Sequence, residues 1–185
     1  MGTSGRKLMR GTKKVISSAV LYFLYCGFYE LSKSDSRVKA EVDSWKQGMT
    51  YCLTCGENCP SLTIRKGKNG LERVSHVENP DVVFAFKNLE KAFLVLTGRQ
   101  GVANAYASHS FALRGDIANG MSFARCVDLV ERYLFPPVIT NHILKENPKK
   151  QCSSIVLYMK IIGGTVVFKY KAVGENCGKK AIKFN

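Results

Sequence analysis

The pattern in this sequence with the sharpest chemical content is Cys52-Leu-Thr-Cys55-Gly-Glu-Asn-Cys59-Pro60. Thiolates at such spacing can chelate zinc or iron, because a tight turn brings their sulfurs together. The fourth ligand is not local: His76, Cys26 or Cys152 can supply it only if the fold carries one of them there. The competing reading is a cysteine-bearing β-turn between two strands, and we take it as the expectation. No metal is assigned, with Cys52, Cys55 and Cys59 as the alternative. A redox Cys-x-x-Cys is weaker still, because no strand-to-helix context surrounds the pair. His76, His109 and His142 are widely separated, with no nucleophile or acid at a recognisable spacing, so nothing argues for a catalytic triad. Asp116, following Gly115, reads as a turn or helix-cap residue rather than an acid catalyst. Glycines 67, 70, 98 and 101 match neither a phosphate loop nor a dinucleotide fingerprint. The expectation is therefore no catalytic residue, no cofactor and no enzyme.

The elements that must position these residues follow from spacing. Ile16, Ala19, Val20, Phe23, Leu24, Gly27 and Leu31 recur at helical intervals, while Tyr22, Tyr25 and Tyr29 make the opposite side aromatic too. Val15 to Tyr29 superficially copies a signal peptide behind its basic flank, but bulky residues stand where a cleavage site needs small ones. The run is about 15 residues against the roughly 20 needed to span a bilayer, so spanning is not expected. Packing on the domain and lying in a membrane interface both remain open. After the polar break Ser32 to Ser36, Val38, Val42 and Trp45 mark a helix stopping near Gly48. Met49 to Thr54, Ser61 to Arg65 and Leu71 to Ser75 are strand candidates, and Asn69-Gly70 predicts a hairpin with a primed turn. Asp81 to Lys87 is a fourth strand, with Phe84 and Phe86 on one side and Val83 and Ala85 on the other. Leu89 to Gly98 and Val102 to Ser108 read as helices, and Ser110 to Arg114 as a fifth strand. A further helix runs from beyond Asn119 to Pro136-Pro137. Ile155 to Phe168 is either a helix and a strand or two strands about Gly163-Gly164.

With 45% apolar and 23% charged residues, the chain can bury a core of one domain. The formal charge is +14. Five bases and no acid fall in residues 1 to 14, and nine lysines against Glu146 and Glu175 fall from Lys145 onward, so the body is near neutral. Basic ends suit an anionic surface, phospholipid or nucleic acid. Nucleic acid is the weaker partner, because no element interleaves basic and aromatic residues on one face. Seven cysteines, an odd count, favour reduced thiols and a cytoplasmic setting, and the basic ends leave open a peripheral place on the inner face of the membrane.

The order of these elements resembles the sterol-carrier-protein-2 (SCP2) sterol-binding domain. The resemblance rests on the strand Pro80-Asp81-Val-Val-Phe-Ala-Phe86, the helix Leu89 to Gly98, the strand end Phe111-Ala-Leu-Arg-Gly-Asp116, and the meander Met49 to Ser75 before them. It covers half to two-thirds of the chain and is closest to free-standing bacterial-type members. It implies an α+β fold: a curved, mainly antiparallel sheet of about five strands covered by helices, here with an extra apolar N-terminal helix. Expected divisions are a basic helical extension at 1–47, the SCP2-like domain at 48–170, and a basic tail at 171–185. The resemblance also implies a non-enzymatic carrier enclosing a fatty acyl, sterol-like or phospholipid ligand in an apolar tunnel. The pattern nominates Phe84, Phe86, Phe93, Leu96, Phe111, Leu113, Met121, Phe123 and Val127 as tunnel walls. Burial supplies about 0.8 kcal/mol per CH₂, so such a ligand needs no polar anchor.

Overall fold

A 32-residue helix, α1 (Thr3–Ser34), leads the chain. The computed structural model describes residues 3–75, 77–143 and 150–166, with side chains placed for 7–75, 77–141 and 150–165. No proline interrupts α1, and from Leu24 on it is buried nearly all round, with Leu24, Tyr25, Cys26, Phe28, Glu30 and Leu31 inside, after Ser17 and Leu21 in the turns before. Of the face the spacing predicts, Leu24, Gly27 and Leu31 are buried, while Ile16 and Phe23 are exposed. The aromatic side is covered as well: the Tyr25 ring is buried and its hydroxyl accepts a hydrogen bond from the Arg73 backbone N–H at 3.2 Å. By length and composition the helix over Lys7–Ser34 could cross a membrane, yet half of its most apolar window is buried inside the protein. From Leu21 to Leu31 the helix therefore packs on the domain, while Leu8, Met9, Val15 and Ile16 ahead of that stretch are exposed.

Asp35 breaks the chain and caps α2 (Ser36–Ser44), its carboxylate accepting from the Arg37 N–H at 3.0 Å. Strands β1 (Thr50–Thr54), β2 (Ser61–Gly67) and β3 (Gly70–Val74) form an antiparallel meander. The hairpin forms where expected, but its turn differs: Lys68 and Asn69 make the corner, and the positive φ of 123° falls on Gly70 just after it. Strand β4 (Val82–Phe86) returns beside β1 in parallel, and β5 (Phe111–Arg114) pairs antiparallel to β4, giving the order β3-β2-β1-β4-β5. Thr50 and Asp81 lock the start of the parallel pair: the Thr50 N–H and hydroxyl donate to Asp81 Oδ2 at 2.8 and 2.6 Å, and the Asp81 N–H donates back at 3.0 Å. Helices α3 (Leu89–Leu96), α4 (Val102–Ala107), α5 (Ile117–Leu134), α6 (Pro137–Ile143) and α7 (Ser154–Val166) complete the described chain. The α+β class and the mainly antiparallel five-stranded sheet implied by the resemblance are the ones present.

Two readings are refined. Helix α5 begins earlier than expected, because Asp116 is its N-cap and accepts from the Asn119 N–H at 2.8 Å. Helix α7 runs through Gly163-Gly164, settling the helix-or-strand ambiguity up to Val166. The hairpin-side residue His76, the lysine-rich stretch near Lys149 and the tail 171–185 lie outside the described residues.

Gly115 sits between β5 and α5 with φ near +101°, and a Cβ there would fall 2.0 Å from the Asp81 carbonyl oxygen. A left-handed residue other than glycine costs about 1–3 kcal/mol before any clash with fixed backbone. Gly115→Ala should therefore lower the unfolding free energy by at least that amount, seen as a lower urea midpoint with an unchanged slope; an unaltered midpoint would refute the packing of this corner.

A candidate apolar ligand site

The sheet presents one face to the main core. Along β1, Tyr51 and Leu53 point into it, and along β4 Val82, Phe84 and Phe86 do, while Cys52, Val83 and Ala85 form a small cluster on the other face. This is the alternation a half-buried strand requires.

Above the core face, where the sequence reading expected a hollow, a set of rings is packed. Phe123 of α5 stacks on Tyr51 (centroids 5.0 Å, planes 10° apart) and on Phe28 of α1 (5.2 Å, 18°), and lies 5.2 Å from Phe84. Trp45 closes the group at 4.3 Å from Tyr51, its indole N–H donating to Ser122 Oγ at 2.8 Å. Ser122 in turn donates to Glu41, which takes two further bonds from Arg125. Phe28 of α1, fully buried against Phe123, occupies the middle of this space. About 30 Å³ remains there, bordered by Phe84, Phe86, Leu96, Phe111, Phe123 and Val127, room for about two waters.

A larger cavity of about 240 Å³ lies just outward, between α1, α5 and α7. Its walls are Val20, Phe23, Leu24, Leu96, Leu134, Phe135 and Tyr158, with Glu131. The two spaces share Leu24, Leu96 and Glu131, so they abut. Phe23 and Tyr158 are each partly solvent-exposed and sit at the mouth. The volume exceeds the roughly 150 Å³ that suffices for benzene in an engineered apolar cavity, and lies just below the usual 300–1,000 Å³ range for drug-sized sites.

Of the nine nominated wall residues, six border the inner space and only Leu96 also borders the outer one. Phe93 lies outside both, half-buried beneath the ammonium of Lys13 and the guanidinium of Arg99. Leu113 packs against Gly120 at the edge of the core, and Met121 is exposed. Sequence reasoning missed the α1 and α7 walls. Val20, Phe23 and Leu24 were read only as one helix face, and Tyr158 sat in the ambiguous segment.

Glu131 is the one acid of these walls and is 5% exposed. Burial, and then the Asp128 carboxylate one turn earlier, pushes its pKa up to about 8, so near neutral pH it is mostly protonated. In the unfolded chain a glutamate titrates near about 4.3, so between these values the folded state holds more proton and stability falls as pH rises towards and through 8. Glu131→Gln, which never ionises, should melt several degrees above the parent at pH 9 and close to it at pH 5. A gap that does not widen with pH would contradict this burial.

The cysteine cluster is divided by the fold. Cys55 belongs to the main core, Cys52 to the opposite sheet face, and Cys59 to the intervening loop. Burial pushes the Cys55 thiol up to about 12 and also raises Cys52, which favours the thiol over the ligating thiolate. Among the described residues no group of three His, Cys, Asp or Glu side chains is placed to hold a metal. His109 is exposed, in a left-handed conformation with φ of 49°.

Sheet, covering helices and recess together define an α+β domain with an apolar cavity that carries one buried acid. No protein-family model matches the chain, and no curated protein matches it. Among solved structures it is similar to a chain titled "UbiJ-SCP2 Ubiquinone synthesis protein", at 17% identity and a TM-score of 0.41, over 67% of this chain and 99% of that one.

Proposed function

We propose that the protein is a non-enzymatic binder of an apolar chain, taken up in the cavity between α1, α5 and α7. The observation that carries this reading is a cavity of about 240 Å³ whose walls are aliphatic and aromatic save for Glu131, with its mouth at the half-exposed rings of Phe23 and Tyr158. Six buried methylenes at about 0.8 kcal/mol each contribute roughly 5 kcal/mol, enough for binding below millimolar.

The chain's source is an anionic phospholipid bilayer in this reading. Helix α7 exposes Ile155, Val156, Met159 and Ile162, and α1 exposes Leu8, Met9, Val15 and Ile16, on the two helices that flank the mouth. Lys7 and Arg10 are exposed beside them, whereas Lys13 is paired with Glu90 and Lys14 donates to the Asn58 carbonyl at 2.7 Å. A net charge of +14 complements anionic headgroups. Flotation with phosphatidylglycerol vesicles should recover the protein at low salt and lose most of it at high salt, with little recovery on phosphatidylcholine. Equal recovery on both vesicles would remove the electrostatic part.

Binding itself is tested by incubating the protein with a total lipid extract, repurifying it, and recording native mass spectra. Stoichiometric lipid is expected, and Val20→Trp, which fills the cavity from α1, should lose it while remaining folded. A protein that stays empty, or a variant that loads equally, would overturn the proposal.

A further inference from the structure

Glu131 has a geometry that packing alone does not require. It projects from α5 at the junction of the inner and outer spaces, 95% buried, and no hydrogen-bond or ion-pair partner is found for its carboxyl among the described residues. Because Glu131 lines the open cavity, an apolar ligand that strips water from its carboxyl without replacing the hydrogen bond costs about 1–3 kcal/mol, so the position favours a ligand that brings its own partner. The groups around it define that partner. Helices α1 and α3 present Val20, Phe23, Leu24 and Leu96, all without charge. Helix α7 presents Tyr158, whose hydroxyl is committed to the Leu134 carbonyl oxygen. Among the described residues the remaining titratable neighbour is Asp128 on α5 itself, which adds negative charge and disfavours a second anion.

We infer that Glu131, in its protonated form, donates a hydrogen bond to an uncharged oxygen at the inner end of the bound chain, so that the cavity selects ketone-, ester- or alcohol-headed apolar molecules over alkanes and over free fatty carboxylates. This rests on the binding function proposed above and adds a polar selector to it. The raised pKa of Glu131 agrees with the geometry, because a neutral carboxyl is both the form that tolerates this burial and the form that can donate. A carboxylate ligand would bring a second acid against Glu131 and Asp128 in a low-dielectric space, which is unfavourable unless a proton is taken up.

The probes are 2-octanone, octane and octanoate, titrated calorimetrically or by displacement of a fluorescent apolar dye at pH 6.5. The parent protein should bind 2-octanone and bind octanoate at least tenfold more weakly. Glu131→Leu should shift the octanone-to-octane affinity ratio by about tenfold toward octane, the size expected for one buried hydrogen bond. Glu131→Gln retains a donor and should keep most of the parent ratio. If Glu131→Leu does not fold, a second readout remains: octanone affinity of the parent should fall above pH 8 as Glu131 ionises, whereas Glu131→Gln should be flat with pH. A parent that binds none of the probes overturns the binding function itself. Probes that bind the parent and Glu131→Leu in the same ratio, or a pH profile shared by the parent and Glu131→Gln, leave the cavity intact and overturn only the selector.

Discussion

Replacing Asp35 with alanine should lower the unfolding free energy by about 3–5 kcal/mol, the range for removing one member of a buried charged network. Asp35 is 1% exposed and sits at the corner between α1 and α2. One carboxylate oxygen accepts from the Arg37 backbone N–H and Nε at 3.0 Å each, and the other from the Arg37 guanidinium at 2.6 Å and the Tyr133 hydroxyl at 2.7 Å. Tyr133 then accepts from the Gln151 backbone N–H at 2.7 Å, which ties the segment ahead of α7 to α5. The network therefore sets the placement of two of the three helices around the cavity. Burial alone would raise the pKa of Asp35, but the bonds from Arg37 and Tyr133 outweigh it and hold the carboxyl below its ordinary value. A depressed folded pKa contributes stability that is present above the unfolded value of about 3.9 and is lost as pH falls through the folded one. Urea titrations at pH 7 and pH 3 should show the parent losing stability in acid and Asp35→Ala losing less, since the variant has already lost the bond donors' partner. Equal acid sensitivity in the two proteins would place the acid-labile group elsewhere.

The second large effect is expected at Phe123. Its ring is 1% exposed and touches Phe28, Tyr51, Trp45 and Phe84, joining α1, α2, the sheet and α5. Truncating a buried phenylalanine to alanine costs about 3–5 kcal/mol, through lost transfer energy and the cavity left behind. Here the vacated space would open beside the inner void of about 30 Å³ and extend the outer cavity inward. Phe123→Ala should therefore be destabilised by that amount in a denaturant titration and yet gain more in melting temperature than the parent when a medium-chain alcohol is added, because binding to the folded state alone stabilises it by mass action. A destabilised variant that no apolar additive rescues would mean the core collapses around the missing ring.

The sheet was legible because its signals are local. Alternation along Asp81 to Lys87 separated Phe84 and Phe86 from Val83 and Ala85, and the Asn69-Gly70 pair marked the hairpin between β2 and β3. The helix boundaries were legible where a cap or proline wrote them, as at Gly98 and Pro136. The location of empty space was not, since a cavity is the difference between element volumes and depends on where long-range packing puts α1. Phe28 carries no sequence mark that distinguishes a ring plugging the core from one lining a tunnel. Burial of the tyrosine side of α1 was not legible either, since Tyr25 is held by the Arg73 backbone N–H, a partner 48 residues away that periodicity cannot register. The importance of Glu131 was also invisible: an acid on an amphipathic helix reads as a solvated position, and only the approach of α1 and α7 buries it.

Photolabelling tests the central claim most directly. An octyl chain bearing a terminal diazirine, irradiated with the protein and followed by peptide mapping, reports which side chains the chain touches. Labels are predicted at Val20, Phe23 and Leu24, at Leu134 and Phe135, and at Tyr158, and they should vanish in Val20→Trp. Labels scattered over the exposed aliphatics of α1 and α7, unchanged by that substitution, would contradict the account.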